Sequence, residues 1–127
     1  MINNTTGSDN IAVGKGALQV NTTGSKNTAV GYLALDANTT ADQSTAIGYA
    51  ALTAVTTGAY NVALGNYSLY TCTTGSYNTA LGKDTLLYLT TGQRNVAVGY
   101  NAMDEATTGS DNVAVGHAAG HSVTTGI

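Results

Sequence analysis

Glycine recurs every 17 residues along this chain, at Gly14, Gly31, Gly48, Gly65, Gly82, Gly99 and Gly116. A second series with the same period runs through Gly7, Gly24, Gly58, Gly75, Gly92, Gly109 and Gly126, and Ala41 fills its one gap. A Thr-Thr pair precedes every member of the second series, from Thr5-Thr6 to Thr124-Thr125. No insertion or deletion breaks the register. A fixed period of this kind restricts a chain to stacked, near-identical units that bury one continuous core between neighbours.

Counting from the first Thr, the repeat reads Thr-Thr-Gly-Ser-x-Asn, a β-branched residue, Ala, an aliphatic, Gly, two variable residues, a small residue, Leu, and three more. Position 8 is Ala in all seven repeats (Ala12, Ala29, Ala46, Ala63, Ala80, Ala97 and Ala114), and position 14 is Leu five times, then Met103 and Gly120. Seven repeats fill residues 5–123, partial repeats flank them, and residues 1–127 read as a single domain. Both ends fall inside the pattern, so the sequence reads as an excerpt of something longer.

Seventeen residues are too few for a helical pair, since helical repeats need about 30 or more. β-Branched residues beside Ala, bounded by Gly, favour a short strand. The expected fold is therefore all-β: a parallel β-solenoid with one coil per repeat, two short strands and two tight turns in each. Coils spaced by about 4.8 Å give a rod of roughly 35 Å. The glycines mark turns that need a positive φ or close backbone approach.

All eleven charged residues, such as Lys26, Arg94 and Asp111 at position 5, avoid the Ala, aliphatic, Gly and Leu positions. Those positions are expected inside. Successive strand side chains point to opposite faces, so the residues flanking Ala create a second apolar face. A thin coil has one interior, and another copy of the chain is the simplest cover for that second face.

Composition narrows the function. A net charge of −3 with four basic residues argues against nucleic acid and anionic membranes. No apolar run approaches the roughly 20 residues of a membrane span, and no signal peptide is evident. No carboxylate pair, Ser-His-Asp set or phosphate loop is present, so no catalytic activity and no cofactor are expected. Asn-x-Thr/Ser sequons, at Asn3, Asn4 and Asn21 among others, matter only in a glycosylating host. Cys72 stands alone and is expected to be a half-buried, inert thiol. His117 and His121 fall at outward positions and are expected to be solvated rather than metal-bound.

The segments Asn27-Thr28-Ala29-Val30-Gly31-Tyr32-Leu33-Ala34-Leu35 and Asn61-Val62-Ala63-Leu64-Gly65 resemble the head repeats of trimeric autotransporter adhesins (the YadA-like head) and repeat stretches of phage tail fibres. The resemblance covers nearly the whole chain, although the 17-residue period is longer than those head repeats tend to have. It implies a left-handed parallel β-roll, a homotrimer, and a place on a virion or cell surface as a fibre or adhesin segment.

Two surfaces are candidates for binding. Tyr32, Tyr49 and Tyr100 share position 11, while Tyr60 and Tyr77 share position 5, so neighbours in each set should stack about 5 Å apart. Exposed tyrosines suit a cell-surface glycan or receptor protein, and the competing reading is cross-coil stacking that stabilises the ladder. The Thr-Thr ladder suggests ice binding as the alternative function. Adjacent strand residues face opposite ways, however, which leaves one outward rank of Thr.

Overall fold

The computed structural model describes residues 3–125. Positions 7 to 9 of each repeat form a three-residue strand: β1 (Ile11–Val13), β2 (Thr28–Val30), β3 (Thr45–Ile47), β4 (Val62–Leu64), β5 (Thr79–Leu81), β6 (Val96–Val98) and β7 (Val113–Val115). They make one parallel seven-stranded sheet in chain order. The register never slips: Ala12 lies on Ala29, Ala29 on Ala46, and so on to Ala97 on Ala114. The fold is a β-solenoid of 17-residue coils.

One expectation needs correction. Each coil has one strand, not two. The remainder of the coil is a chain of turns that nonetheless hydrogen-bonds to its neighbours through the backbone. Leu35 N–H donates to the Ala51 carbonyl at 3.1 Å, Tyr67 to that of Tyr49 at 2.9 Å, and Lys26 to that of Ser8 at 2.8 Å. A second strand is lost because positions 5, 12 and 14 take left-handed backbone angles, as at Tyr60 (φ 62°), Ala50 (φ 51°) and Leu69 (φ 51°). Those angles turn amides along the rod axis without extending the chain.

Position 14 is the least expected of the three. Leu18, Leu35, Leu52, Leu69, Leu86 and Met103 all adopt φ between 48° and 52°. A left-handed L-residue costs roughly 1–2 kcal/mol. Full burial of a Leu side chain returns about 1.5–3 kcal/mol, and each of these five leucines is completely buried. Burial wins.

The two glycine series serve different needs. At position 10, Gly31, Gly48, Gly65 and Gly82 have φ of 137–140°, which only glycine adopts without strain. At position 3 the reason is proximity: a Cβ on Gly92 would sit 2.1 Å from the Gly109 carbonyl oxygen of the next coil. Ala41, the exception, is buried, and its amide is taken up by the Asn38 side chain at 3.1 Å.

The core is thin. Ala at position 8, the small residue at 13, Leu at 14 and whatever stands at 17 fill it, from Ala17 and Leu18 to Ala102, Met103 and Ala106. Cys72 lies fully inside this core, not half-buried as expected, because position 17 points inward in every coil from Asn21 to Ala106. Position 9 departs in the other direction. Val13, Ile47, Leu64 and Val115 are exposed, since they share a strand face with position 7, opposite the inward Ala. The aliphatic position therefore lies outside the core.

Candidate functional site: an outward strand face and a tyrosine surface

Three surfaces carry side chains that the core does not use. The first is the outer face of the sheet. Position 7 runs Ile11, Thr28, Thr45, Val62, Thr79, Val96 and Val113, and position 9 runs Val13, Val30, Ile47, Leu64, Leu81, Val98 and Val115. Strict register turns these into two parallel ranks along the whole sheet. No charged residue interrupts either rank. Exposed contiguous apolar surface of this kind marks an interaction face.

The second is the tyrosine surface. Tyr32 stacks on Tyr49 with ring centroids 5.1 Å apart and planes 17° apart, and Tyr60 stacks on Tyr77 at 4.8 Å and 4°. Tyr100 finds no tyrosine below it and stacks on His117 at 5.5 Å and 4°. All five are exposed, the position-5 pair before the strand and the position-11 residues after it. The stacks lie along the coil spacing, so each ring covers a face of its neighbour. Tyr67 abuts Tyr49 edge-on at 5.2 Å, and it also meets Tyr70 at 5.4 Å with an interplanar angle of 82°. The proximity of Tyr67 and its hydrogen bond raise the pKa of Tyr49, because a second phenol opposes ionisation of the first.

Tyr67, Tyr70 and Tyr88 line a shallow cleft of about 330 Å³ together with Asp84 and Leu87. The variable positions 12, 15 and 16 had no periodic signal to distinguish them. Only the coil geometry shows that residues 67, 70 and 88 meet.

The third is the threonine ladder. The first Thr of each pair donates its hydroxyl to the backbone carbonyl of the corresponding Thr one coil on, as in Thr22 to Thr39 at 2.9 Å and Thr90 to Thr107 at 3.0 Å. These hydroxyls are committed to the rod. The second Thr of each pair, such as Thr40 or Thr74, is exposed and forms one outward rank.

Beneath these surfaces runs an asparagine ladder at position 6. Asn61 Oδ1 accepts from the Asn78 amide at 2.9 Å, Asn78 Oδ1 from that of Asn95 at 3.0 Å, and Asn95 Oδ1 from that of Asn112 at 3.1 Å. Each Nδ2 then donates to the position-3 carbonyl of the following coil: Asn61 to Gly75 at 2.8 Å, Asn78 to Gly92 at 2.9 Å, Asn95 to Gly109 at 2.8 Å. Ser44 replaces Asn once and still receives the Asn61 amide on its Oγ. The recurrence of Asn at this position signalled the ladder, which the reading by turns alone overlooked.

Charges behave mostly as surface groups. Arg94 makes a two-point pair with Asp111 one coil away, at 2.6 and 2.8 Å, which raises the Arg94 pKa and lowers that of Asp111. Asp104 is buried, although it shares position 15 with His121, a position expected to face outward. His121 is correspondingly not a merely solvated residue. Its Nδ1 meets Asp104 Oδ1 at 2.5 Å, and that hydrogen bond, with the nearby carboxylates of Asp104 and Glu105, raises the imidazole pKa. Among the described residues no group of three or more His, Cys, Asp or Glu is placed to hold a metal ion. Burial pushes the Cys72 thiol up to about 11, which keeps it protonated and unreactive at neutral pH. No helix among the described residues is long and apolar enough to cross a membrane.

No protein-family model matches the chain, and no curated protein or solved structure matches it.

Proposed function

We propose that the chain is a rigid shaft segment of an extracellular or virion fibre, assembled as a homotrimer through the outer face of its sheet. The observation that carries the proposal is the double rank at positions 7 and 9. Seven coils present Val, Ile, Leu and Thr there in register and without a charge. Even in the middle of the sheet Ile47 and Leu64 are each 38% exposed, within a continuous outward face of the kind that marks an interaction surface. Three copies around one axis would cover that face and leave the tyrosine surface outside. The trimer rather than the dimer follows the resemblance to adhesin heads and tail fibres.

A shaft needs stiffness, and the ladders supply it. Backbone, Thr and Asn bonds tie each coil to the next along the rod, so stability accumulates through nearest-neighbour interfaces. Two other readings receive less support. The parallel stacks of Tyr32 on Tyr49 and of Tyr60 on Tyr77 bury ring faces against each other, which favours ladder stabilisation over a receptor site. Ice binding would need a flat array of free hydroxyls in two ranks, whereas the first Thr of each pair is bonded to backbone.

Sedimentation equilibrium tests the proposal. The 12.7 kDa chain should sediment at three times its mass. Ile47→Lys with Leu64→Lys should yield folded monomers, since both side chains point out of the coil. A wild-type monomer at micromolar concentration would remove the assembly claim.

A further inference from the structure

We propose that the cleft formed by Tyr67, Tyr70 and Tyr88, with Asp84 and Leu87, is a binding site for a neutral saccharide. Its first support is that the repeat does not require it. The backbone at Tyr67 (φ 57°) matches that at Leu33 (φ 55°) and Ala50 (φ 51°), which hold the same position in earlier coils. No other coil places a tyrosine at positions 12, 15 or 16. The coil thus folds equally well with small or aliphatic residues there, yet three tyrosines from two adjacent coils converge at one point.

Geometry gives the second support. Tyr67 and Tyr70 stand nearly at right angles, 82° apart, and make two walls. Tyr49 also packs edge-on against Tyr67 at 5.2 Å, so the wall is held before any ligand arrives. Preorganised aromatic walls lower the ordering cost of binding. At about 330 Å³ the cleft lies near the lower end of small-molecule sites, which span roughly 300–1,000 Å³. One or two sugar rings are of that scale.

Charge identifies the ligand class. Asp84 Oδ2 is already paired with Lys83 Nζ at 2.6 Å, and Lys83 in turn lies 5.2 Å from the Tyr100 ring centroid. That neighbouring ammonium neutralises the carboxylate, which removes the attraction an aromatic cage would otherwise offer a cation. The same ion pair carries no net charge, so an anion gains no net attraction either. A neutral polyol needs none: its hydroxyls find an acceptor in Asp84 and donor-acceptors in the phenols, while its C–H face packs on a Tyr ring. Weak binding by an open cleft of this size would add through avidity across copies repeated on one fibre. Only that last gain rests on the trimeric shaft. The site itself belongs to a single chain.

Saturation-transfer NMR on the full chain, with the methyl glycosides of glucose, galactose, mannose and N-acetylglucosamine as probes, tests the site. Transfer to ring C–H protons of at least one glycoside is expected. Tyr70→Ala and Tyr88→Ala should each weaken it about tenfold, Asp84→Asn should weaken it less, and Tyr60→Ala should leave it unchanged. Circular dichroism on each variant confirms that the rod is folded. No transfer from any of the four glycosides overturns the proposal. So does transfer that survives Tyr70→Ala with Tyr88→Ala, or tighter binding of tetramethylammonium than of every glycoside. Sedimentation of the same samples keeps the two claims apart, since a monomer that binds sugar sinks the shaft assembly alone.

Discussion

Position 17 is filled differently in the two halves of the rod. In the first coils it holds Asn4, Asn21 and Asn38, joined as a ladder: Asn21 Nδ2 donates to Asn4 Oδ1 at 2.8 Å, and Asn38 Nδ2 to Asn21 Oδ1 at 2.8 Å. From the third coil to the sixth it holds Val55, Cys72, Leu89 and Ala106, all fully buried. The coil geometry is the same in both halves. The explanation lies in the position-3 carbonyl that both kinds of residue approach. Gly24 O accepts from Asn10 at position 6 at 2.8 Å and from Asn21 at position 17 at 2.9 Å. In the second half Gly92 O and Gly109 O keep only the position-6 donor. Position 6 satisfies the carbonyl from Gly24 to Gly109, so position 17 is free there to be polar or apolar.

The contrast can be broken at several points. The largest effect is expected for Asn78→Ala, which strips the Gly92 carbonyl and the Asn95 amide of their buried partners. Unfolding in urea should show a loss of about 4 kcal/mol, and a loss below about 1 kcal/mol would mean that position 6 is as dispensable as position 17. Leu89→Asn places a lone amide between Cys72 and Ala106, neither of which can continue a ladder. The lost packing and an unmatched donor should together cost about 3 kcal/mol in the same assay. Asn21→Val is the converse change. Gly24 O retains Asn10 and Asn38 Nδ2 retains the Ala41 carbonyl, so the cost should be only about 1 kcal/mol, and a cost equal to that of Asn78→Ala would erase the distinction between the two columns.

The smallest effect concerns the last coil, where contacts are electrostatic. His121 has a raised pKa in the folded chain because of Asp104, so the pair stabilises fully below the unfolded imidazole pKa. That contribution disappears as pH climbs through the higher folded value. The thermal midpoint should therefore drop slightly across that window, and Asp104→Asn should flatten the dependence. An NMR titration of His121 at or below the ordinary imidazole value would refute the pairing.

Much of this was legible in the repeat. The uninterrupted period predicted the coil, the in-register Ala column and the stacking of Tyr60 on Tyr77. The second strand could not be read correctly, because intrinsic preference opposes a left-handed Leu and only the packed core reverses it. Strand alternation did predict an outward apolar face, but charge avoidance alone placed Val13 and Leu64 inside. Charges can shun a buried face and an interaction face alike. The burial of Cys72 and Asp104 depended on which way positions 15 and 17 turn, which the backbone angles at 12 and 14 decide. The Tyr67–Tyr70–Tyr88 cleft sits at positions without any periodic signal, so it emerged only once the coils were stacked.

The strict in-register pairing of Ala12 through Ala114 also makes the chain a ruler. Insertion or loss of a whole repeat would lengthen or shorten the rod by one graduation of about 4.8 Å and leave every face aligned. A single added residue would instead rotate all later columns off their predecessors, exchanging the Ala seam for its outward neighbours. Such a molecule can change length freely in whole units while tolerating almost no change in phase.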